Sequence, residues 1–156
     1  MSATIVEPHK SSIGNLDANV MALLAYLVTG ILMFIPYISY VAWLAPLVLY
    51  FLEKQSGFVR FHTMQAFILN VINFLLSTLI GGIIVASISA AAHRATSLED
   101  IGSSLAVAGV VTVIFTIISI IITIFAIIAL VKAYKYQFYK LPLIGNLAAK
   151  ISGQAV

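Results

Sequence analysis

Apolar and polar positions fall in long blocks along this chain, without the short periods of an amphipathic soluble protein. Met1–Asp17 is polar and mixed, with Glu7, His9, Lys10, Ser11, Ser12 and Asp17. Ala18–Ile35 follows without a charge and ends at Pro36. A second apolar run, Tyr37–Leu52, contains Pro46 and stops at Glu53-Lys54. After the polar break Glu53–His62, a third run, Thr63–Ala92, continues uncharged for 30 residues. The break His93–Ser104 holds Arg94, Glu99 and Asp100, and the fourth run, Leu105–Val131, ends at Lys132. The remaining residues interleave Lys, Tyr, Phe and aliphatic positions.

Runs of this length predict membrane-spanning helices, because a backbone in lipid must satisfy its own hydrogen bonds. The expected fold is an all-α integral membrane protein with four transmembrane helices in a compact bundle, near 18–35, 37–52, 63–92 and 105–131. Residues 1–17 form a polar cytosolic or interfacial tail, 18–134 the four-helix domain, and 135–156 a basic, aromatic interfacial tail. Asp17 suits the N-cap of the first helix. Pro46 predicts a kink in the second, and Gly81-Gly82 offers a bend in the third. A short amphipathic helix is expected over Asn146–Ser152.

Composition narrows the class. Of 156 residues 62% are hydrophobic and 8% charged, against about 25% charged in soluble domains, and mean hydropathy is +1.13. No cysteine is present, which excludes thiolate metal sites and cysteine nucleophiles. His9, His62 and His93 lack metal-ligand spacing, and neither a phosphate loop nor a nucleophile elbow occurs. The expectation is therefore a protein with no metal, no cofactor and no enzymatic activity. The basic tail suits a membrane surface better than nucleic acid.

Charge placement sets the expected topology. Four spans put Lys10, Lys54, Arg60, Lys132, Lys135, Lys140 and Lys150 on one side and Arg94 alone on the other. Seven against one places both termini in the cytosol by the positive-inside rule. A three-span alternative, with the first two runs as a re-entrant hairpin, divides these charges less well. Met1–Asp17 lacks the Arg-rich, acid-poor composition of a transit peptide, so the expected location is a prokaryotic plasma membrane, crossed several times.

No ionisable residue lies inside any run, which argues against proton-coupled transport. Neutral polar positions remain. Asn70, Asn73, Ser77 and Gly81 share a face of the third helix. Gly109, Thr112, Thr116, Ser119 and Thr123 make a stripe on the fourth. Such positions allow close helix packing or, less economically, line a polar path.

The most distinctive stretch is Ser56-Gly57-Phe58-Val59-Arg60-Phe61-His62-Thr63-Met64-Gln65-Ala66-Phe67. Arg60, His62 and Gln65 gather at the mouth of the third helix with Phe58 and Phe61 around them. They are candidates either for recognising a lipid headgroup or partner, or for stapling the helix entry angle; Glu53 is a possible local partner of Arg60 or His62. Together with Pro46-Leu47 and Tyr139-Lys140-Leu141-Pro142-Leu143-Ile144-Gly145, this stretch resembles small bacterial and archaeal membrane proteins related to the twenty-kilodalton component of the chloroplast inner-envelope import translocon. The resemblance runs over Asn15–Ala149 and departs at Thr63, where the family has Ala. It implies a four-helix core and, through the plastid member, an association with protein translocation. The resulting expectation is a non-enzymatic scaffold or subunit of a transport or protein-translocation assembly. The alternatives are a small channel formed by oligomerisation and, third, an interfacial lipid-acting enzyme using His62. Expected partners are the lipid bilayer, anionic headgroups, and copies of itself or other membrane subunits.

Overall fold

The computed structural model describes residues 4–94 and 96–154. The chain is all-helical apart from one small ladder. Its elements are β1 (Thr4–Ile5), α1 (Ala18–Leu32), two 3-10 turns (Ile38–Tyr40 and Ala42–Leu44), α2 (Ala45–Leu52), α3 (Gly57–Arg94), α4 (Leu98–Tyr134), β2 (Gln137–Phe138) and α5 (Gly145–Ser152). They form two compact units, one of Met1–Val71 with Ile124–Val156 and one of Ile72–Thr123. Arg94, the basic residue expected on the far side, has its side chain outside the described residues.

The long helices match the third and fourth apolar runs. Gly57–His93 and Leu98–Tyr134 are long and apolar enough to cross a bilayer, with 18-residue stretches of mean hydropathy 2.2 and 3.1. Both start earlier than their charge-free stretches. Ser56 caps α3, its carbonyl accepting the Arg60 amide at 3.1 Å and its hydroxyl the Val59 amide at 3.1 Å. Arg60 and His62 thus lie on the helix and not in a loop before it. At the start of α4, Ser97 Oγ accepts the Asp100 amide at 3.2 Å, and the Asp100 carboxylate accepts the Ser97 amide at 3.1 Å. This reciprocal cap supports the first turn of α4.

The first two runs are shorter helices than the sequence predicts. α1 ends at Leu32, ahead of the Ile35-Pro36 step, where proline disfavours helical backbone in the preceding residue. Tyr37 turns the chain at φ 66°. The second run opens as 3-10 turns and becomes α-helical only at Ala45, with Pro46 in the first turn. There its missing N–H costs nothing, so Pro46 starts a helix and does not kink one. Ala18–Leu32 covers about 22 Å, less than a hydrocarbon core of about 30 Å. α2 alone, at eight residues, is shorter still.

The tails read as cytosolic or interfacial are packed into the first unit. β1 pairs antiparallel with β2, Thr4 opposite Phe138 and Ile5 opposite Gln137. The Val6 amide bonds the Tyr136 carbonyl at 2.8 Å, and the Ala18 amide bonds the His9 carbonyl at 2.9 Å. Asp17 occupies the N-cap position of α1, but its carboxylate pairs with Lys10 at 2.8 Å instead of capping. α5 buries Gly145, Ala148, Ala149 and Ser152. Gly145 is required there, since a Cβ would lie 2.5 Å from the Lys140 backbone.

One apolar cluster packs Ala18, Met21 and Ala22 of α1 against Phe58 and Val59 of α3 and Ala133 of α4. A second joins Tyr50, Phe61 and Met64 to Ala148 and Ala149 of α5. The alanines allow close approach of the helices, and the phenylalanines fill the space between them.

Candidate functional site

The Phe58–Gln65 turns of α3 sit at the centre of the first unit. Phe58, Phe61, His62 and Gln65 are all buried. His62 Nε2 donates to the Gln137 carbonyl at 3.1 Å, and Nδ1 accepts from the Tyr26 hydroxyl at 3.1 Å. The tautomer protonated on Nε2 satisfies both contacts. Gln65 Nε2 donates to the Tyr26 hydroxyl at 3.0 Å and to the Tyr139 carbonyl at 3.1 Å, while Oε1 accepts the Leu141 amide at 3.1 Å. Phe58 and Phe61 stand edge-on to the imidazole at 4.7 and 5.0 Å, and Phe138 stacks on it at 6.4 Å. This clamp binds α1, α3 and the segment after α4 through three side chains, Tyr26, His62 and Gln65, and no imidazole nitrogen is left for an outside ligand.

A second polar knot lies beside it. Glu53, at the end of α2, is 1% exposed. Its carboxylate accepts from the hydroxyls of Ser11 and Ser12 and from the amides of Ser12, Gln55 and Ser56. Burial alone raises such a carboxyl's pKa. The bonds from Ser11, Ser56, Gln55 and Ser12 together outweigh it and hold Glu53 down at about 2. His9 Nε2 meets the Ser56 hydroxyl at 2.7 Å. Glu53 therefore fastens the N-terminal segment to the α2–α3 junction. It does not pair with Arg60 or His62, the local arrangement envisaged from sequence, because serine hydroxyls and backbone amides already occupy its oxygens.

Arg60 is arranged differently from its neighbours. Its guanidinium lies over the Tyr50 ring, Cζ 4.8 Å from the centroid, and Nη2 donates to the Tyr50 hydroxyl at 2.9 Å. That hydroxyl donates onward to the Ile151 carbonyl at 3.1 Å. Arg60 Nε is buried without a hydrogen-bond partner.

Asn70 Nδ2 bonds Thr29 Oγ1 across α1 and α3 at 2.6 Å. Asn73 is half-buried. Ser77 bonds the Phe74 carbonyl, and Thr112, Thr116 and Thr123 bond the carbonyls of Ala108, Thr112 and Ser119. These hydroxyls are spent on their own helices. A Cβ added at Gly109 would meet nothing within 4 Å. Sequence reasoning missed Tyr26, Gln137, Ser11, Ser12 and Tyr50. Their partners lie 10 to 101 positions away along the chain. The one local signal was Glu53, a carboxylate abutting an apolar helix end.

The fold and this closed polar centre define a helical membrane protein with its chain ends tied into one clamp. The chain belongs to the MamF/MmsF family, described as the magnetosome magnetite crystal formation protein family, whose profile matches residues 17–148. No curated protein and no solved structure matches it. The family match overturns the kinship with the plastid import translocon drawn from the Phe58–Phe67 motif and the Tyr139–Gly145 tail. Those segments are short, and the runs between them share only generic hydrophobicity with many membrane proteins. The family is one of the magnetosome membrane and not specifically of the plasma membrane.

Proposed function

We propose that the protein is a non-enzymatic scaffold of the magnetosome membrane that serves magnetite crystal formation by its embedded helices and by assembly with other membrane subunits. The observation that carries this reading is the closure of the clamp. His62, Gln65 and Tyr26 bond one another and the chain's own backbone, so neither imidazole nitrogen is open to a substrate. A lipid-acting enzyme built on His62 is disfavoured on the same ground. A polar channel is disfavoured because the α4 hydroxyls face their own carbonyls.

Within this reading the chain crosses the membrane four times with both tails cytosolic. The β1–β2 pairing supports tails on a common side, and the distribution of Lys and Arg supports the cytosolic assignment. The hairpin of α1 and α2 carries Phe34, Tyr37 and Tyr40 exposed at its turn, as suits an aromatic belt at the far interface.

Two experiments test the proposal. Cysteine placed at the exposed positions Lys54 or Glu7 is expected to react with an impermeant reagent only from the cytosolic face, and cysteine at Ser97 only from the other. Reaction of Lys54→Cys and Ser97→Cys from the same face refutes the topology. In a magnetosome-forming bacterium lacking its own family member, expression of this chain is expected to restore crystal size and shape under electron microscopy. Unchanged crystals, with the protein present in the magnetosome membrane, refute the role.

A further inference from the structure

Arg60 is the cation in the first unit whose surroundings are incomplete. Among the described residues the one ion pair joins Lys10 to Asp17, and the nearest carboxylate in sequence, Glu53, is saturated by serine hydroxyls and amides. The guanidinium is nevertheless partly buried. Tyr50 takes one face through its ring and one N–H through its hydroxyl. Nε is buried and unpartnered, whereas Nη1 makes no bond and is not among the buried orphans, so it faces outward. A half-buried guanidinium with two of its three nitrogens lacking acceptors calls for an anion.

Position specifies which anion. Arg60 lies on the first turn of α3, three residues before the charge-free run that begins at Thr63, and Tyr50 lies on the last turn of α2, three residues before Glu53. Both therefore sit where apolar sequence gives way to polar sequence, the depth of phospholipid phosphates. A planar guanidinium fork fits two phosphate oxygens at once, and an amphipathic tyrosine beside it suits the same layer.

We propose that Arg60 and Tyr50 form a binding site for a phosphoryl anion, occupied in the membrane by the phosphodiester of a phospholipid headgroup. Tyr50 holds the guanidinium by its ring and by the bond from Nη2 to its hydroxyl, which leaves the Nη1 end of the fork for the phosphate.

The test follows the Arg60 Nε–H resonance by NMR in full-length protein in maltoside detergent. Three titrants are compared: a short-chain phosphatidylglycerol, inorganic phosphate, and acetate. Saturable shifts with phosphatidylglycerol at lower concentration than with phosphate support the lipid assignment. Equal response to both supports the phosphoryl site but overturns the lipid as its occupant. An equal response to acetate, or none to any titrant, overturns the site. Lipid phosphorus retained through purification gives an independent reading. About one phospholipid per chain is expected to survive in the wild type and to be lost in Arg60→Gln. Arg60→Lys, which keeps the charge but not the fork, is expected to weaken phosphatidylglycerol binding roughly tenfold. Unchanged retention in Arg60→Gln, in protein whose helical circular dichroism matches wild type, overturns the proposal.

Discussion

The two compact units differ in where many of their polar side chains find partners. In the first, Asn70 reaches Thr29, Gln65 reaches Tyr26, and Ser11 and Ser12 reach Glu53, each joining segments far apart in sequence. In the second, Ser77, Ser87, Thr112 and Thr116 fold back on carbonyls three or four residues earlier in their own helix. A hydroxyl in an apolar helix has a partner in either case. Only where helices meet other elements closely does that partner lie across a gap, and only there does the bond contribute to tertiary specificity.

This contrast is most sharply tested at Gln65. Gln65→Leu removes three bonds at once and leaves the Leu141 amide and the Tyr139 carbonyl buried without that partner. A loss of roughly 2–4 kcal/mol is expected, read as a lowered unfolding midpoint in detergent. A midpoint matching wild type means the clamp does not hold the unit together.

The Glu53 knot has a smaller effect with a pH signature. Its folded carboxyl lies at about 2 and its ordinary value is 4.5, so the stabilisation is complete above about pH 5. It falls away as pH drops from about 4.5 towards 2. Amide exchange at Ser12 and Ile13 is expected to stay slow from pH 8 to 5, after correction for intrinsic rates, and to quicken below that. Glu53→Gln should abolish the acid-dependent step and release the tail at all pH values, at a cost of about 1–2 kcal/mol. Protection indifferent to both changes contradicts the knot.

The second unit provides the smallest effect. Thr112→Val and Thr116→Val each delete a hydroxyl bonded only within its helix, so monomer stability should move by no more than about 0.5 kcal/mol. A loss above about 1 kcal/mol would mean that the stripe carries a contact to another element. Thr116→Leu with Ser119→Leu separates that outcome from assembly. Cross-linking between copies should fall if the stripe is a subunit seam, while the monomer's melting stays constant.

The long-range polar contacts were the part of the structure the sequence concealed. Charge-free length located the two helices long and apolar enough to cross a bilayer, α3 and α4. The same criterion misplaced the start of α3, because it treated Arg60 and His62 as loop residues. A buried histidine with two partners is compatible with a helix interior, and nothing local distinguishes it from a solvated one. Phe58, Phe61, His62 and Gln65, which the sequence grouped, lie buried on successive turns of α3, but their partners Tyr26 and Gln137 come from distant segments. Pro36 and Pro46 were visible as punctuation. That Pro46 begins a helix was not visible, because proline is equally at home in a first turn and at a kink. The family was misread for a related reason: a compact motif between featureless apolar stretches gives few positions that discriminate.

The lengths of α3 and α4 bear on the elasticity of the surrounding lipid. Their uncharged stretches, Thr63–Ala92 and Ile101–Val131, each measure about 45 Å as helix, against a hydrocarbon slab of about 30 Å. Were such a stretch to lie wholly in hydrocarbon, leaning alone would require about 48°, beyond the usual range of about 0–40° for spanning helices, and the bilayer would also have to stretch around it. Each molecule would then sit in a ring of strained lipid. Two such rings that merge have less perimeter than two apart, which gives a lateral attraction between copies that needs no complementary contact and grows weaker as the host membrane thickens.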